Sequence, residues 1–180
     1  EYKMPALVTN SKIWGEMFGT KEMHLLFSDE GTAKLYLDVE AALARSQSKL
    51  NIIPKEAGEK ITKAANVDII DWRKLEKRTS IVGYPILPLV EQLSEKVEGN
   101  FGQFCHWGAT TQDIMDTADI LQIRKGLELL SKDLKSISDA LEKIVEYHIK
   151  TPMAGRTHLQ HALPISFGYK ASTWLSGIDR

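Results

Sequence analysis

The sequence predicts an all-α protein, a helical N-terminal part leading into the start of a long-helix bundle. Three observations carry this expectation. Ile120, Ile123, Leu127, Leu130, Leu134, Ile137, Leu141 and Ile144 recur at three- and four-residue spacing without a break, which is a heptad seam rather than the broader face of an ordinary globular helix. Upstream of the seam, several segments show apolar residues at helical spacing and end at residues that stop helices. No stretch alternates apolar and polar residues for long enough to make a strand.

The elements follow in order. Asp29 to Leu50 places Leu35, Val39, Ala42, Leu43, Ser46 and Leu50 on one face and ends at Asn51. Ile53-Pro54 starts a short helix with proline at its tolerated first-turn position. Asp68 to about Arg78 and Pro85 to Val97 read as two more, the second closed by Gly99-Asn100. The long helix opens at Thr110, with Asp113 three residues later as in a capping box and Gly108 giving the backbone freedom to enter it. Lys150 to Leu163 is a polar-rich connection, and Pro164 opens a last helix carrying Gly168, Ala171, Leu175 and Ile178 at three and four spacing. The expected domains are residues 1–107, helical and N-terminal, and residues 108–180, the first part of a bundle.

Composition narrows the class. With 180 residues, 43% hydrophobic and 26% charged, the chain can bury a core. A net charge of −1 supplies no basic field for nucleic acid or an anionic membrane. No apolar run approaches the roughly 20 residues that span a bilayer, and no signal peptide is expected. The one cysteine, Cys105, excludes an intramolecular disulfide and fits a reducing, cytoplasmic setting; it reads as buried apolar filler rather than a reactive thiol. Metal-ligand spacing, a phosphate loop and a Gly-x-Ser-x-Gly elbow are all missing, so neither metal nor cofactor is expected.

Two polar clusters stand out. Cys105 to Ala118 sets hydroxyls and backbone N–H groups at a helix mouth, which favours anions. Counted backwards by the heptad rule, Asp116 and Asp113 fall on the seam, so the buried stripe turns polar at this end. Acids suit any first helical turn; the pair fits capping and dipole roles as well as a site at the end of the bundle core. In the second cluster, Arg156 offers a fork for a carboxylate, Thr157 and Gln160 offer neutral hydrogen bonds, and His158 exchanges protons near neutral pH. His24, His148 and His161 read as structural or merely exposed.

These clusters carry a family resemblance. HWGATTQDIMDTA (His106 to Ala118) and MAGRTHLQHALPISFG (Met153 to Gly168) resemble two of the three signature regions of the aspartase/fumarase superfamily. Ser28 to Ala57 and Gly83 to Val90 resemble the N-terminal part of 3-carboxy-cis,cis-muconate cycloisomerases, so the likeness spans nearly the whole chain. It implies an all-helical protein whose central helices form a homotetrameric bundle and whose chemistry adds or eliminates across a carbon–carbon bond beside a carboxylate. By motif match His106, Thr110, Thr111, Gln112 and Asp113 belong to the pocket for a small anionic carboxylate substrate. Arg156 and Gln160 join as substrate contacts, and Thr157 and His158 take the catalytic positions, the histidine in proton transfer. Bacterial cycloisomerases commonly carry Trp where this chain has His158, whereas adenylosuccinate and argininosuccinate lyases carry His. Conversely, Thr79 to Gly83 lacks the Arg-His-Asp pattern of adenylosuccinate lyases. The implied function is a cycloisomerase-like lyase; the alternatives are a fumarate-releasing lyase of the adenylosuccinate or argininosuccinate kind and a non-catalytic helical oligomerisation module. The superfamily's third region, a Gly-Ser-Ser loop supplying the serine base, does not occur in these 180 residues. The chain is therefore expected to be an N-terminal portion, inactive alone.

Lengths point to a shared site. Asp113 and Ile149 are 36 residues apart, about 54 Å on one helix. His158 lies nine residues further on and reaches back at most about 30 Å. Some 24 Å would still separate it from Asp113, so an antiparallel neighbour is expected to bring its own His158 to this mouth.

Overall fold

A computed structural model of the chain describes residues 7–180. Its helices are α1 (Lys21–Leu26), α2 (Asp29–Lys49), α3 (Lys55–Ala64), α4 (Trp72–Val82), α5 (Ile86–Lys96), α6 (Thr111–Tyr147) and α7 (Phe167–Asp179). Short 3₁₀ turns lie among them, and two strands, β1 (Pro152–Thr157) and β2 (Gln160–Ser166), form an antiparallel hairpin. Two compact units divide between Gly126 and Leu127, inside α6. Among the described residues no helix is long and apolar enough to cross a membrane.

The first unit is built around α2, α3, α5 and the opening turns of α6. Leu37, Ile61, Ile86, Leu89, Leu93 and Ile114 are its fully buried aliphatic side chains, each contributing about 1.5–3 kcal/mol over an exposed position. Side-chain caps fix the helix starts: Ser28 accepts from the N–H of Gly31, and Asp71 from that of Lys74. The buried amide of Gln92 accepts from the Asp71 N–H at 2.7 Å and so ties α5 to the cap of α4. The Asp68 to Arg78 segment resolves into a 3₁₀ turn, Val67–Ile69, followed by α4.

The buried face of α2 differs from the expected one. Ala42, Ser46 and Leu50 are exposed, Val39 and Leu43 are half-buried, and the buried residues are Ala33, Leu35, Tyr36, Leu37, Glu40, Ala41 and Ala44. The core reaches α2 over a wide arc, so a single stripe describes it poorly. Glu40, a charged residue, sits at the centre of that arc.

Helix α6 runs unbroken for 37 residues, as its seam requires, which makes it about 55 Å long. In the single chain the seam is largely bare: Ile120 is 64% exposed and Leu127 56%, Leu134 is exposed, and only Leu141 and Ile144 are half-buried.

The second unit holds the end of α6, the hairpin and α7. Lys150 to Leu163 is thus not an irregular connection, and the expectation of no strands is corrected. Thr157 pairs with Gln160 across a two-residue turn, His158-Leu159, and Arg156 with His161. A bulge follows, in which Gly155 stands opposite both Ala162 and Leu163. A Cβ at Gly155 would come 2.7 Å from the Leu163 carbonyl oxygen, so glycine is required. Pro164 lies within β2 and does not open the last helix; Ser166 caps α7, accepting from the Tyr169 N–H. The Phe167 N–H donates to the Thr151 carbonyl and the Gly168 N–H to that of His148, seating α7 on the end of α6.

Candidate functional site

The first cluster is assembled within the first unit. Residues 105–110 connect the 3₁₀ segment Gly99–Phe104 to α6, and two of them hold left-handed backbone, His106 with φ 57° and Gly108 with φ 69°. Glycine adopts this freely, as expected for Gly108; histidine does so at a cost of about 1–3 kcal/mol. The cost is met by contacts from α2. Glu40 Oε1 lies 2.6 Å from His106 Nδ1, and Gln47 Nε2 donates to the Trp107 carbonyl at 2.6 Å. Phe104 and Trp107 add a tilted ring pair with centroids 5.8 Å apart.

The pair has a clear electrostatic sense. The hydrogen bond to the Glu40 carboxylate raises His106 above the ordinary imidazole value against the opposing effect of burial, with the field of Asp113 adding to it. Cys105 behaves as the expected apolar filler: it is half-buried, and burial pushes its thiol up, away from the reactive thiolate.

At the helix start, Asp113 accepts from the Thr110 N–H at 2.9 Å, the reach-back half of a capping box. Thr117 donates to the Asp113 carbonyl, and Gln112 donates to Asp116. Thr110 is exposed and Thr111 half-buried, so both residues stand at the mouth of the helix. Beside it lies a hollow of about 390 Å³ lined in part by Leu43, Gln47, Trp107, Gly108 and Asp113.

The second cluster forms the tip of the hairpin in the second unit. Residues directly opposite in an antiparallel pair share a face. Thr157 and Gln160 therefore occupy one face, and Arg156 and His161 the other. His158 and Leu159 form the turn, both left-handed at φ 43° and 62°, the combination of a type I′ turn that usually needs Asn or Gly. All six of these residues are exposed.

Sequence reasoning located the motif residues but missed Glu40 and Gln47, which anchor the first cluster. A usable signal existed: Leu37, Glu40, Ala41 and Ala44 keep helical spacing with an acid in the middle.

This is a mainly helical fold that carries one β-hairpin. A family model described as lyase matches residues 15–180, and the chain belongs to that family, the aspartase/fumarase superfamily. It is 42% identical over 177 residues to trans-aconitate decarboxylase 1 of Mycosarcoma maydis, covering 98% of this chain and 36% of the relative. Among solved structures, fumarate lyase from Mesorhizobium sp. BNC1 is 53% identical, with a TM-score of 0.85 over 91% of this chain and 38% of that one. The β-carboxy-cis,cis-muconate cycloisomerase from Acinetobacter calcoaceticus sp. ADP1 is 33% identical, with a TM-score of 0.90 over 94% and 40%. The chain thus spans somewhat more than a third of the length of the proteins it resembles.

Proposed function

We propose that the whole protein is a 3-carboxy-cis,cis-muconate cycloisomerase-like lyase that adds or eliminates across a carbon–carbon bond beside a substrate carboxylate. The observation that carries the reading is the mouth of α6, where Thr110 and Thr111 set two hydroxyls at a helix start in front of the Glu40–His106 anchor. Three similar proteins are named for trans-aconitate, fumarate and carboxymuconate chemistry, all unsaturated polycarboxylates. That shared class supports a small anionic substrate of the same kind here.

In this reading Thr110, Thr111 and Gln112 donate to the substrate carboxylate, with Asp113 fixing the helix start and His106 lining the pocket. Arg156 and Gln160 bind the second carboxylate or the leaving part. A base, supplied by the third signature region of the superfamily, takes the proton beside the carboxylate. The resulting dianion is held by the donors of the mouth. As the bond to the leaving group breaks and the double bond forms, His158, steadied by Thr157, gives that group a proton. Lactone closure runs the same bond changes in the addition direction.

We further propose a homotetramer working in the cytoplasm, its helices packed along the bare seam of α6, with residues 1–107 as the N-terminal domain and 108–180 opening the bundle. The 45 residues of sequence between Asp113 and His158 support pairing the mouth of one copy with the hairpin of another.

The test is to assay the full-length protein against succino-adducts that release fumarate, carboxymuconate and trans-aconitate, following the diene or enoate absorbance. Turnover of carboxymuconate to lactone supports the reading, and turnover of a succino-adduct moves the protein to the fumarate-releasing alternative. Inactivity on all three would leave the oligomerisation module.

A further inference from the structure

Helix α2 grips the segment before α6 with two polar side chains. Glu40 and Gln47 are seven residues apart, two turns along one face. One holds the ring of His106 and the other the carbonyl of Trp107, each at 2.6 Å. Glu40 is 1% exposed, and its second carboxylate oxygen is buried without a hydrogen-bond partner among the described residues. Removing a carboxylate from water while satisfying one oxygen is costly, and an apolar side chain of similar size in that stripe would escape the cost. Core packing therefore does not account for the acid. Among the described residues its hydrogen-bond partner is His106, held in left-handed backbone just before the mouth of α6.

Charge argues in the same direction. A lone buried carboxylate behind a mouth built for anions would repel them. Held at 2.6 Å from the ring of His106, the carboxylate does not stand alone behind Thr110 and Thr111.

We infer that Glu40 is a positioning residue: by holding His106 in the turn at residues 106–108, it sets the conformation from which Thr110 and Thr111 present their donors. The inference rests on the proposed role of that mouth. Glu40 acts through His106 and touches no substrate.

The test uses the full-length protein and the substrate found in the panel above. Glu40→Gln keeps the shape and removes the charge. Its kcat/KM is expected to fall about tenfold or more, mainly in kcat, with the thermal midpoint unchanged at about pH 9, where the charge pair no longer adds stability. Amides of residues 106–113 are expected to exchange about tenfold faster. Because Glu40 works through His106, the double variant Glu40→Gln/His106→Gln should lose no more activity than His106→Gln alone. Wild-type kcat/KM in Glu40→Gln, or losses that multiply in the double variant, would overturn the inference. Should Glu40→Gln fail to fold, Glu40→Met, apolar and of similar length, gives the same readouts. If none of the panel is turned over, the proposed reaction falls, and the exchange comparison decides alone: unchanged protection at 106–113 overturns the positioning role.

Discussion

Glu40 Oε1 and His106 Nδ1 meet at 2.6 Å across 66 residues of sequence, joining the middle of α2 to the turn that opens α6. The contact sets a buried acid against an imidazole in strained backbone, and it turns the position of the mouth into a property of the first unit's core.

The pair makes stability depend on pH in a defined direction. Glu40 favours the charged ring, so folded His106 keeps its proton above the unfolded histidine value of about 6.5. The stabilisation is full below that value and is lost as pH rises through the raised folded value. Urea unfolding of wild type and His106→Gln is expected to show a wild-type advantage at about pH 6 that shrinks toward about pH 9. An advantage that grows with pH would show that the ring is held neutral.

His158 occupies a turn position that asparagine tolerates better than histidine. His158→Asn is therefore expected to leave the hairpin intact or firmer while cutting turnover of the full-length protein about a hundredfold or more. Near-wild-type kcat would remove His158 from the chemistry, and loss of the hairpin by amide exchange would show that the imidazole is structural.

Gly155→Ala places a methyl group 2.7 Å from the Leu163 carbonyl oxygen. Relief requires the bulge to open, and the expected cost is about 1–3 kcal/mol. Faster amide exchange across β1 and β2 with an unchanged first unit would confirm it; equal protection would mean that the strand shifts without loss.

The fold was legible wherever periodicity was. The α6 seam gave one unbroken helix because its apolar spacing has a single helical solution, and Gly108 marked the turn before it. The hairpin was not legible. Pro152 to Thr157 does not alternate, and its turn carries His-Leu in place of the Asn-Gly or Gly residues that usually announce one. Pro164 suggested a helix start but lies in a two-stranded sheet, where every strand is an edge and a missing N–H is tolerated. Motif residues of the candidate site were readable from local chemistry, but Glu40 was not, because a contact across 66 residues leaves only an acid within an apolar stripe.

The exposed seam leads to an assembly prediction. Leu127→Glu with Leu134→Glu puts two charges on the bare face of α6, and if the full-length protein is the proposed tetramer, sedimentation is expected to shift to smaller species with α6 still helical. A tetramer surviving both charges would place the interface elsewhere.

The shared site is tested most directly by subunit complementation. His158→Asn and Thr111→Val are prepared separately in the full-length protein, dissociated, mixed and reassembled. If the mouth of one copy works with the hairpin of another, some sites in the mixed oligomers recover both groups, and activity should rise at least about tenfold above either parent. Mixed oligomers no more active than their parents would contradict the shared site.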